Sequence, residues 1–230
     1  MDQKIVVVTG ANRGIGYGLG AAFNEEGHTV LAINRTLCGE NWMEEYECDL
    51  TNKDQVNDAI NSIIEKYGRI DILVNNAGIR RYAPIDEISE RDWNDSLLTN
   101  VTAPLWLIQK CTPLLSASNG LLLFVGSQAA EYPFVEGIAY STTKAAFLAM
   151  SRIAIQDLRY RGIRVCYLSL GAVANRPKEN DEWKIRPSDV GELALSLSKL
   201  SPRVMPTYVE LRPAAPNTSA IPKMQELQNI

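Results

Sequence analysis

Histidine and long apolar runs are scarce in this chain of 230 residues. The single histidine, His28, leaves no histidine-rich metal site and makes a Ser-His-Asp hydrolase hard to build. Its place directly after a glycine predicts a residue of a surface turn. No apolar run approaches the ~20 residues that span a bilayer, and no opening segment has the composition of a cleaved leader. We therefore expect a cytoplasmic protein with no metal ion and no membrane partner.

Cysteines are few, and basic residues do not outnumber acidic ones. The cysteines lie far apart, at positions 38, 48, 111 and 166, so reduced thiols are expected rather than disulfides. The chain has 23 lysines and arginines against 27 acidic residues, which gives a net charge of -4. Proteins that bind nucleic acid usually carry a clustered basic face, so no nucleic acid is expected as a partner.

The hydrophobic pattern indicates a single α/β domain. Short apolar runs alternate with longer segments of helical period, an order typical of a parallel sheet covered on both faces. The predicted strands are 4–9, 29–34, 44–48, 71–75, 121–126, 164–170 and 207–211. The predicted helices are 14–26, 52–67, 89–115, 140–161 and 187–200, the second introduced by a capping box at 51–54. We predict a doubly wound Rossmann-type domain with a seven-stranded, mostly parallel sheet.

The predicted domain covers residues 1–212 and is followed by a proline-rich tail, 213–230. Pro213, Pro216 and Pro222 disfavour regular structure there, and the tail is either solvated or strapped across a neighbouring subunit. Within the domain, the link 35–43 is shorter than the ~10–12 residues of a full crossover. A turn is therefore expected in place of the usual helix, and it would leave the adenosine side of a nucleotide site open.

A glycine-rich turn follows the apolar run of residues 5–8. A strand that enters such a turn brings backbone N–H groups close to a pyrophosphate at the positive end of the next helix. The turn predicts a dinucleotide site, and ordinary loop or cap glycines are the alternative. The predicted contacts are Thr9, Gly10, Asn12, Arg13, Gly14, Ile15 and Gly16.

Ser127, Tyr140 and Lys144 predict proton transfer. Tyrosine and lysine four residues apart share one helix face, so the ammonium favours the phenolate and lowers a phenol pKa that is ordinarily ~10. Ser127 follows a predicted strand, where its hydroxyl would stabilise charge on a substrate oxygen. Together with the dinucleotide turn, these residues suggest hydride transfer to or from a carbonyl. Taken alone, the tyrosine and lysine are more typical of a solvated helix.

Six motifs occur in the order and approximate spacing of the short-chain dehydrogenase/reductase family, which the chain resembles from residue 4 to about residue 213. They are the glycine turn, Cys48-Asp49-Leu50, Asn75-Asn76-Ala77-Gly78, Asn100-Val101, Gly126-Ser127, and Tyr140 with Lys144. The resemblance implies that Tyr140 is the general acid in carbonyl reduction and the base in alcohol oxidation. It implies that Asn100 holds a water linking Lys144 to solvent, and that Lys144 also holds the ribose hydroxyls.

The same resemblance implies further cofactor contacts. Asp49 would bond the adenine amino group, or would favour the start of the following helix with its charge. Small residues after the fourth strand would let the cofactor pass close to the backbone. The implied contacts are Asp49, Leu50, Asn76, Ala77, Gly78, Gly171 and Val173, together with Tyr140 and Lys144.

The end of the second predicted strand favours NADP(H) over NAD(H). An NAD site places an acidic residue there to accept from the ribose 2′-OH, and residues 31–36 contain none. Arg35, together with Arg13 of the glycine turn, would instead bracket a 2′-phosphate through charge-assisted hydrogen bonds. The alternative is that both arginines are solvated surface charges.

The chain departs from the family pattern after the sixth predicted strand. Leu170 stands where the family usually has a proline, which predicts a less restrained turn. Asn175 replaces a hydroxyl residue that often touches the nicotinamide carboxamide. The segment 175–186, normally a longer lid over the substrate, is abbreviated and charged, so an open pocket is expected.

Substrate contacts are expected in the loops at the carboxyl ends of the strands, where ligands gather. The candidates are Arg80, Arg81, Gln128 and Tyr132. One of the two arginines is predicted to pair with an acidic substrate group, unless both are solvated loop charges.

The predicted function is the reversible, NADPH-dependent reduction of a small-molecule ketone or aldehyde to an alcohol. The alternatives are epimerisation or dehydration on the same scaffold, and a non-catalytic sensor or scaffold that binds NADPH. The family resemblance also implies a homodimer or homotetramer built on the helices near 94–115 and 140–161.

Overall fold

The structure is a computed structural model that describes residues 3–175 and 181–215. The strands are β1 Ile5–Thr9, β2 Thr29–Asn34, β3 Glu44–Glu47, β4 Ile72–Asn75, β5 Leu121–Val125, β6 Arg164–Leu170 and β7 Tyr208–Leu211. The helices are α1 Gly14–Glu25, α2 Lys53–Tyr67, α3 Glu90–Leu97, α4 Ala103–Ala117, α5 Ile138–Leu158 and α6 Pro187–Lys199. The predicted strand boundaries all agree with these to within about one residue.

The strands form one sheet in the order β3-β2-β1-β4-β5-β6-β7. Each neighbouring pair among the described residues is parallel. The prediction of a doubly wound, seven-stranded Rossmann-type domain is therefore confirmed, and the sheet is parallel throughout rather than mostly so. The chain order reverses between β1 and β4, and open sheets of this kind bind ligands beyond the carboxyl ends of the strands at such a point.

Successive side chains of the strands enter two apolar layers on opposite faces of the sheet. One face packs against α1 and α6, with Phe23 and Val190 among the buried residues. The other packs against α2, α4 and α5, with Ile60, Leu107 and Phe147 among them. Because both faces are covered, the central strands are continuous apolar runs, and their carboxyl ends are held by a rigid frame.

The single helix predicted over 89–115 is wrong, because it is divided in the structure. α3 ends at Leu97, a π-helical turn occupies Leu98–Thr102, and α4 begins at Ala103. The Ala103 N–H donates to the Leu98 carbonyl, one residue further back than in an α-helix. Such a turn is defined by its backbone hydrogen bonds, which the apolar pattern of the sequence does not report. Asn100 lies inside this turn.

The start of α2 differs in detail from the predicted capping box at 51–54. The N-cap residue is Asn52, whose side chain accepts from the N–H groups of Asp54 and Gln55. The hydroxyl of Thr51 instead donates to Asp49 at 2.8 Å. The helix begins where expected, but an amide rather than a hydroxyl caps it.

The expectation that His28 is a surface residue is wrong. Its side chain is 5% exposed, its Nδ1 accepts from the Lys4 N–H at 3.4 Å, and its ring lies 6.1 Å from that of Phe23. Burial lowers the pKa of His28, and the charge of Lys4 adds to this shift. The histidine therefore belongs to the packing at the amino end of the sheet.

Two predicted departures from the family pattern, a short link after β2 and a less restrained turn after β6, have different outcomes. The link 35–43 contains no helix, as its length predicts. The turn after β6 is not loose: Leu170 is paired with Leu211 of β7, and the Gly171 N–H donates to the Leu211 carbonyl at 2.9 Å. Because leucine has the N–H that proline lacks, the strand can continue to this point.

Some predictions fall on parts of the chain that are not described. Residues 176–180 of the abbreviated lid and residues 216–230 of the predicted tail lie outside the described residues. All four cysteines lie within the described residues and are free thiols, as predicted from their spacing.

Candidate active site

Ser127 lies directly after β5, at the carboxyl edge of the sheet. Its hydroxyl accepts from the Ala129 N–H at 3.2 Å and caps a short 3-10 turn at Gln128–Ala130. From the other side, the hydroxyl of the buried Tyr167 accepts from the Ser127 N–H at 3.2 Å. A side chain at Gly126 would overlap the Tyr167 ring, so glycine lets the ring pass beneath the turn. These contacts fix the position of the serine.

Tyr140 lies in the first turn of α5, with 8% of its surface exposed. Ser127 and the guanidinium of Arg80 lie close enough to its hydroxyl to lower its pKa. The ring centroids of Tyr82 and Phe134 lie 6.1 and 6.4 Å from its own. The phenol therefore has polar partners at its tip and aromatic neighbours around its ring.

Lys144, one turn further along α5, is buried beside this phenol. Its Nζ donates to the Val125 carbonyl at 3.0 Å and lies 5.9 Å from the centroid of the Tyr140 ring. Burial lowers the pKa of Lys144, while Tyr140 opposes this shift and the charge of Arg80 adds to it. The shared helix face predicted from the sequence thus brings amine and phenol together.

The pKa of Tyr140 results from opposing effects. Burial favours the neutral phenol and raises the pKa, but the charges of Lys144 and Arg80 and the hydrogen bonds from Ser127 and Arg80 outweigh it. The net direction is downward from the ordinary value for tyrosine. The phenolate is therefore more accessible here than in water.

Asn100 projects its side chain from the π-helical turn toward the segment after β4. Its Oδ1 accepts from the Ile79 N–H at 2.8 Å, and its Nδ2 donates to the Ile79 carbonyl and to the Thr143 hydroxyl at 2.9 and 3.0 Å. A Cβ on Gly78 would lie 3.2 Å from Asn100 Oδ1 and 3.8 Å from Lys144 Nζ. The amide thus lies close to the lysine and orders the backbone around it.

The glycine turn has the backbone that the dinucleotide prediction requires. Gly10 and Gly14 have φ values of 66° and 58°, in the left-handed region that favours glycine. A side chain on Gly16 would collide with the Gly10 carbonyl, so the third glycine lets α1 begin directly above the turn.

The carboxyl ends of β1 and β4 are joined by side-chain hydrogen bonds. The Thr9 hydroxyl accepts from the N–H groups of Asn76 and Ala77 at 3.0 and 2.9 Å. The Asn76 amide donates back to the Thr9 carbonyl at 2.8 Å and to the Gly10 carbonyl at 3.2 Å. The structure therefore brings together two predicted cofactor motifs that lie far apart in the sequence.

The N-terminus of α1 has the properties of an anion site. The N-cap residue, Arg13, makes no side-chain cap among the described residues, and the first turn contains no acidic side chain, so its N–H groups are suited to a phosphate. The Ile15 N–H donates to the Asn175 Oδ1 at 2.9 Å. The neighbouring Asn12 donates to the Thr36 carbonyl. The amide oxygen of Asn175 therefore accepts from the Ile15 N–H at the place where a phosphate oxygen would accept.

The side of the site next to β2 is organised by two side chains. Asn34 accepts from the Ala11 N–H at 2.8 Å and donates to a carboxylate oxygen of Glu45 at 2.6 Å. Glu45, on β3, also accepts from the N–H groups of Cys38 and Gly39 at 3.0 and 2.7 Å. The link after β2 thus folds around the Glu45 carboxylate, whose oxygens already accept hydrogen bonds.

Four other predicted contacts on this side are now located. Arg13 and Arg35 are exposed, and neither forms an ion pair within the described ranges. Asp49 accepts from the N–H and the hydroxyl of Thr51 at 2.9 and 2.8 Å, and the N–H bond is the main cause of its lowered pKa. Leu50 is buried, so only its backbone is suited to a ligand.

The two candidate substrate arginines differ in their partners. Arg81 forms an ion pair with Asp92, with 2.8 Å between Nε and Oδ1. Arg80 lies over the face of the Tyr140 ring, with 5.5 Å between its Cζ and the ring centroid. The structure therefore brings Arg80 to the phenol and directs Arg81 to α3.

The other candidate substrate residues lie next to β7. Gln128 donates to Glu210 at 3.3 Å, and a Cβ on Gly171 would lie 3.3 Å from its amide. Tyr132 is 64% exposed, and the Arg212 guanidinium lies 5.4 Å from its ring centroid. These residues form one flank of the site rather than direct neighbours of Tyr140.

Two concavities flank the described domain. A groove of about 480 Å³ lies between the loops before α3 and before α5, and Phe134 belongs both to this groove and to the surroundings of Tyr140. A larger one, of about 620 Å³, lies at the amino ends of β1 and β2, beside His28 and Trp42. Neither concavity is lined by a predicted site residue, and the smaller groove is the nearer to the candidate chemistry because its Phe134 packs beside Tyr140.

Comparisons with known proteins agree with this geometry. The family model described as short chain dehydrogenase matches residues 4–184. The chain belongs to the short-chain dehydrogenase/reductase family. It is 29% identical to D-threitol dehydrogenase of Mycolicibacterium smegmatis over 74% of this chain and 70% of that protein. It is 28% identical to the 3-oxoacyl-[acyl-carrier-protein] reductase of Thermotoga maritima over 85% of this chain and 84% of that one.

A solved structure shows the same fold. The alcohol dehydrogenase from the archaeon Thermococcus sibiricus, complexed with 5-hydroxy-NADP, matches with a TM-score of 0.85. It is 22% identical, and the match covers 93% of this chain and 97% of that one. The family resemblance seen in the motifs is thus confirmed, and members of this family bind a nicotinamide cofactor.

The described residues contain neither a membrane-spanning helix nor a cluster of side chains suited to a metal ion. No helix among them is long and apolar enough to cross a membrane. No group of three or more histidine, cysteine or acidic side chains in the same residues is arranged to hold a metal ion.

Sequence analysis missed several residues of the site in this short-chain dehydrogenase/reductase. Tyr167 is one, because a tyrosine in an apolar strand looks like ordinary core. Thr143, whose hydroxyl accepts from Asn100, is another, and it lies between Tyr140 and Lys144 in the sequence. Glu45 lies on β3 rather than at the end of β2. The one available signal is Gly126, whose lack of a side chain leaves room for the Tyr167 ring.

Proposed function

We propose that this protein is an NADP(H)-dependent oxidoreductase that reduces a ketone or an aldehyde to an alcohol and also runs in reverse. The observation that carries the proposal is the buried Tyr140, whose ring lies beside the Lys144 amine and whose pKa is lowered, against the effect of burial, by Lys144, Arg80 and Ser127. A phenol with a lowered pKa in such surroundings is equipped to exchange a proton with a carbonyl oxygen. Perturbed groups of this kind cluster at catalytic sites.

The chain's own groups would handle the proton. A reduced nicotinamide, when bound, supplies the hydride that the carbonyl carbon receives. Tyr140 gives its phenolic proton to the carbonyl oxygen, while the Ser127 hydroxyl donates to the same oxygen and stabilises its developing charge. Lys144 stabilises the phenolate that remains, until a proton from solvent restores the phenol. Alcohol oxidation follows the same steps backwards.

Asn100 is assigned to the return of that proton. Its amide fixes the Ile79 backbone and the Thr143 hydroxyl next to Lys144. A water held in this ordered region would link the lysine to solvent, as the family resemblance implies. In this assignment Asn100 is a positioning residue.

The residues around the glycine turn fit a dinucleotide. The first turn of α1 is free of acidic side chains, and its Ile15 N–H already has an oxygen acceptor at 2.9 Å. Because β1 lies next to β4 in the sheet, the N-terminus of α1 lies at the same carboxyl edge of the sheet as Tyr140. The residues proposed to hold the cofactor are Thr9, Gly10, Asn12, Arg13, Gly14, Ile15, Gly16, Arg35, Asp49, Leu50, Asn76, Ala77, Gly78, Tyr140, Lys144, Gly171 and Val173.

The preference for NADP(H) is proposed from the charges beside β2. Arg13 and Arg35 are exposed and have no carboxylate partner in the described ranges, so both guanidinium groups are available to a 2′-phosphate. Glu45, an acidic residue on the strand beside β2, already accepts from Asn34 and from two loop N–H groups. It is therefore poorly placed to serve as the ribose acceptor of an NAD site.

A homodimer or homotetramer built on α4 and α5 is also proposed. Leu107, Phe147 and Leu148 are buried in the core, so they do not form such an interface. Leu105 and Ile153 are 41% and 61% exposed and are the apolar residues available on these helices. Light scattering coupled to size exclusion would measure the mass, and a monomer at all concentrations would contradict the proposal.

The test of the function is NADPH oxidation, followed by absorbance, over a panel of ketones and aldehydes. Turnover of at least one carbonyl is expected, together with its loss in Tyr140→Phe. Binding of NADPH, measured separately by its fluorescence, should survive that substitution. Tight NADPH binding without turnover on any carbonyl would favour a sensor or scaffold and would refute the proposed activity.

A further inference from the structure

Two consecutive arginines follow β4, and they are in different electrostatic situations. Arg81 is neutralised by Asp92. Arg80 is exposed, its Cζ lies 5.5 Å from the centroid of the Tyr140 ring, and no carboxylate of residues 3–175 or 181–215 forms an ion pair with it. One arginine therefore holds α3, while the other presents an uncompensated positive charge.

The uncompensated guanidinium is next to the candidate chemistry. Its positive charge contributes to the lowered pKa of Tyr140 and, after burial, to the lowered pKa of Lys144. Two cations thus approach one phenol, and the aromatic rings of Tyr82 and Phe134 close the adjacent sides. No carboxylate side chain among the described residues pairs with Arg80, so its guanidinium is available to an anion of the substrate.

We propose that Arg80 binds a carboxylate of the substrate, so that the enzyme reduces short oxo acids and oxidises the corresponding hydroxy acids. This inference rests on the proposed oxidoreductase function and adds the class of its substrate. The planar guanidinium matches a carboxylate through two parallel, charge-assisted hydrogen bonds.

The position of Arg80 beside Tyr140 limits the distance between the carboxylate and the carbonyl. The substrate oxygen would bond with the Tyr140 hydroxyl at ~2.7–3.0 Å, and the Arg80 Cζ lies 5.5 Å from the centroid of the same ring, so only a short spacer fits between the carbonyl and the carboxylate. A carboxylate on the carbonyl carbon, or one carbon further along, meets this condition. The proposed substrates are therefore 2-oxo and 3-oxo acids, with a small apolar remainder that faces Tyr82 and Phe134.

The experiment compares each acid with its own neutral ester, in the wild type and in Arg80→Met. The pairs are 2-oxobutanoate with its methyl ester, and acetoacetate with methyl acetoacetate. For at least one pair, the ratio of kcat/KM for acid to that for ester is expected to fall ~100-fold on loss of the charged pair. Methionine retains the apolar stem of arginine and removes only the guanidinium.

The ratio separates substrate binding from an effect on the phenol. A changed pKa of Tyr140 would slow acid and ester alike and would leave their ratio at the wild-type value. Arg81→Met, which removes the same charge one residue away, is the matched control and should also leave the ratio unchanged. A ratio that is unaffected in Arg80→Met, or that falls equally in Arg81→Met, would overturn the proposal.

A binding measurement gives a readout without turnover. Oxamate, an unreactive analogue of a 2-oxo acid, is titrated into the NADPH complex while the nucleotide fluorescence is recorded. Saturable binding by the wild type is expected, at least ~10-fold weaker in Arg80→Met. Equal binding by the two would overturn the role of Arg80.

The outcomes also distinguish the two proposals. If the wild type reduces neutral carbonyls but neither oxo acid, the inference about Arg80 fails and the oxidoreductase proposal stands. If it reduces no carbonyl, charged or neutral, the proposed function itself fails.

Discussion

The two ends of the carboxyl edge of the sheet are built differently. At the phenol end, Tyr140 and Lys144 are buried, and Ser127 is held from both sides by hydrogen bonds. At the adenosine end, Arg13 and Arg35 are exposed and free of ion pairs within the described residues. The difference indicates that the fold alone orders the groups proposed to react. The two arginines proposed to bind the nucleotide, in contrast, remain available to pair with its phosphate.

The largest effect is expected from Tyr140→Phe. Removal of the hydroxyl takes away the general acid while keeping the ring among its aromatic neighbours, so kcat should fall ~10³-fold. NADPH affinity, measured by fluorescence titration, should change by less than ~3-fold because the adenosine end is untouched. A variant that retains most of its turnover would show that the phenol end is not the reactive one.

The next effect concerns pH and Lys144. In alcohol oxidation the phenolate is the base, so the rate should rise with pH and level off above the lowered pKa of Tyr140. Lys144→Met removes an ammonium that favours the phenolate, so that rise should move to higher pH and kcat should fall ~100-fold. The profile of kcat against pH measures this, and circular dichroism reports whether the fold survives. A profile that stays in place would mean that Lys144 does not act on the phenol.

At the adenosine end, Arg35→Ala is expected to raise the KM for NADPH ~10-fold and to leave that for NADH nearly unchanged. Arg91→Ala is a suitable control, because that side chain on α3 is 89% exposed and lies outside the proposed site. Equal changes for the two nucleotides would indicate that Arg35 is a solvated surface charge.

The smallest effect is expected from Asn175→Ala. In the structure its amide oxygen takes the Ile15 N–H at the start of α1, so NADPH should bind ~2- to 5-fold tighter once that donor is free. The family pattern, in which this position touches the nicotinamide carboxamide, gives the opposite sign. Weaker binding in a fluorescence titration would favour that contact instead.

Much of the fold follows from the sequence because it depends on local patterns. Apolar runs predict the central strands β1, β2, β4, β5 and β6, and the spacing of Tyr140 and Lys144 predicts a shared helix face. The π-helical turn around Asn100 could not be predicted, since it is defined by its backbone hydrogen bonds, which the apolar pattern does not report. The separate roles of Arg80 and Arg81 could not be predicted either, because they depend on whether Asp92 or Tyr140 is the nearer partner in three dimensions.

The support of the Ser127 turn extends to the last strand of the sheet. The hydroxyl that holds the Ser127 backbone belongs to Tyr167, whose ring stacks on that of Tyr208 at 5.8 Å in β7. A polypeptide that ends after β6 has Tyr167 but lacks this stacking partner. We expect it to hold the Ser127 turn less firmly than the full chain does.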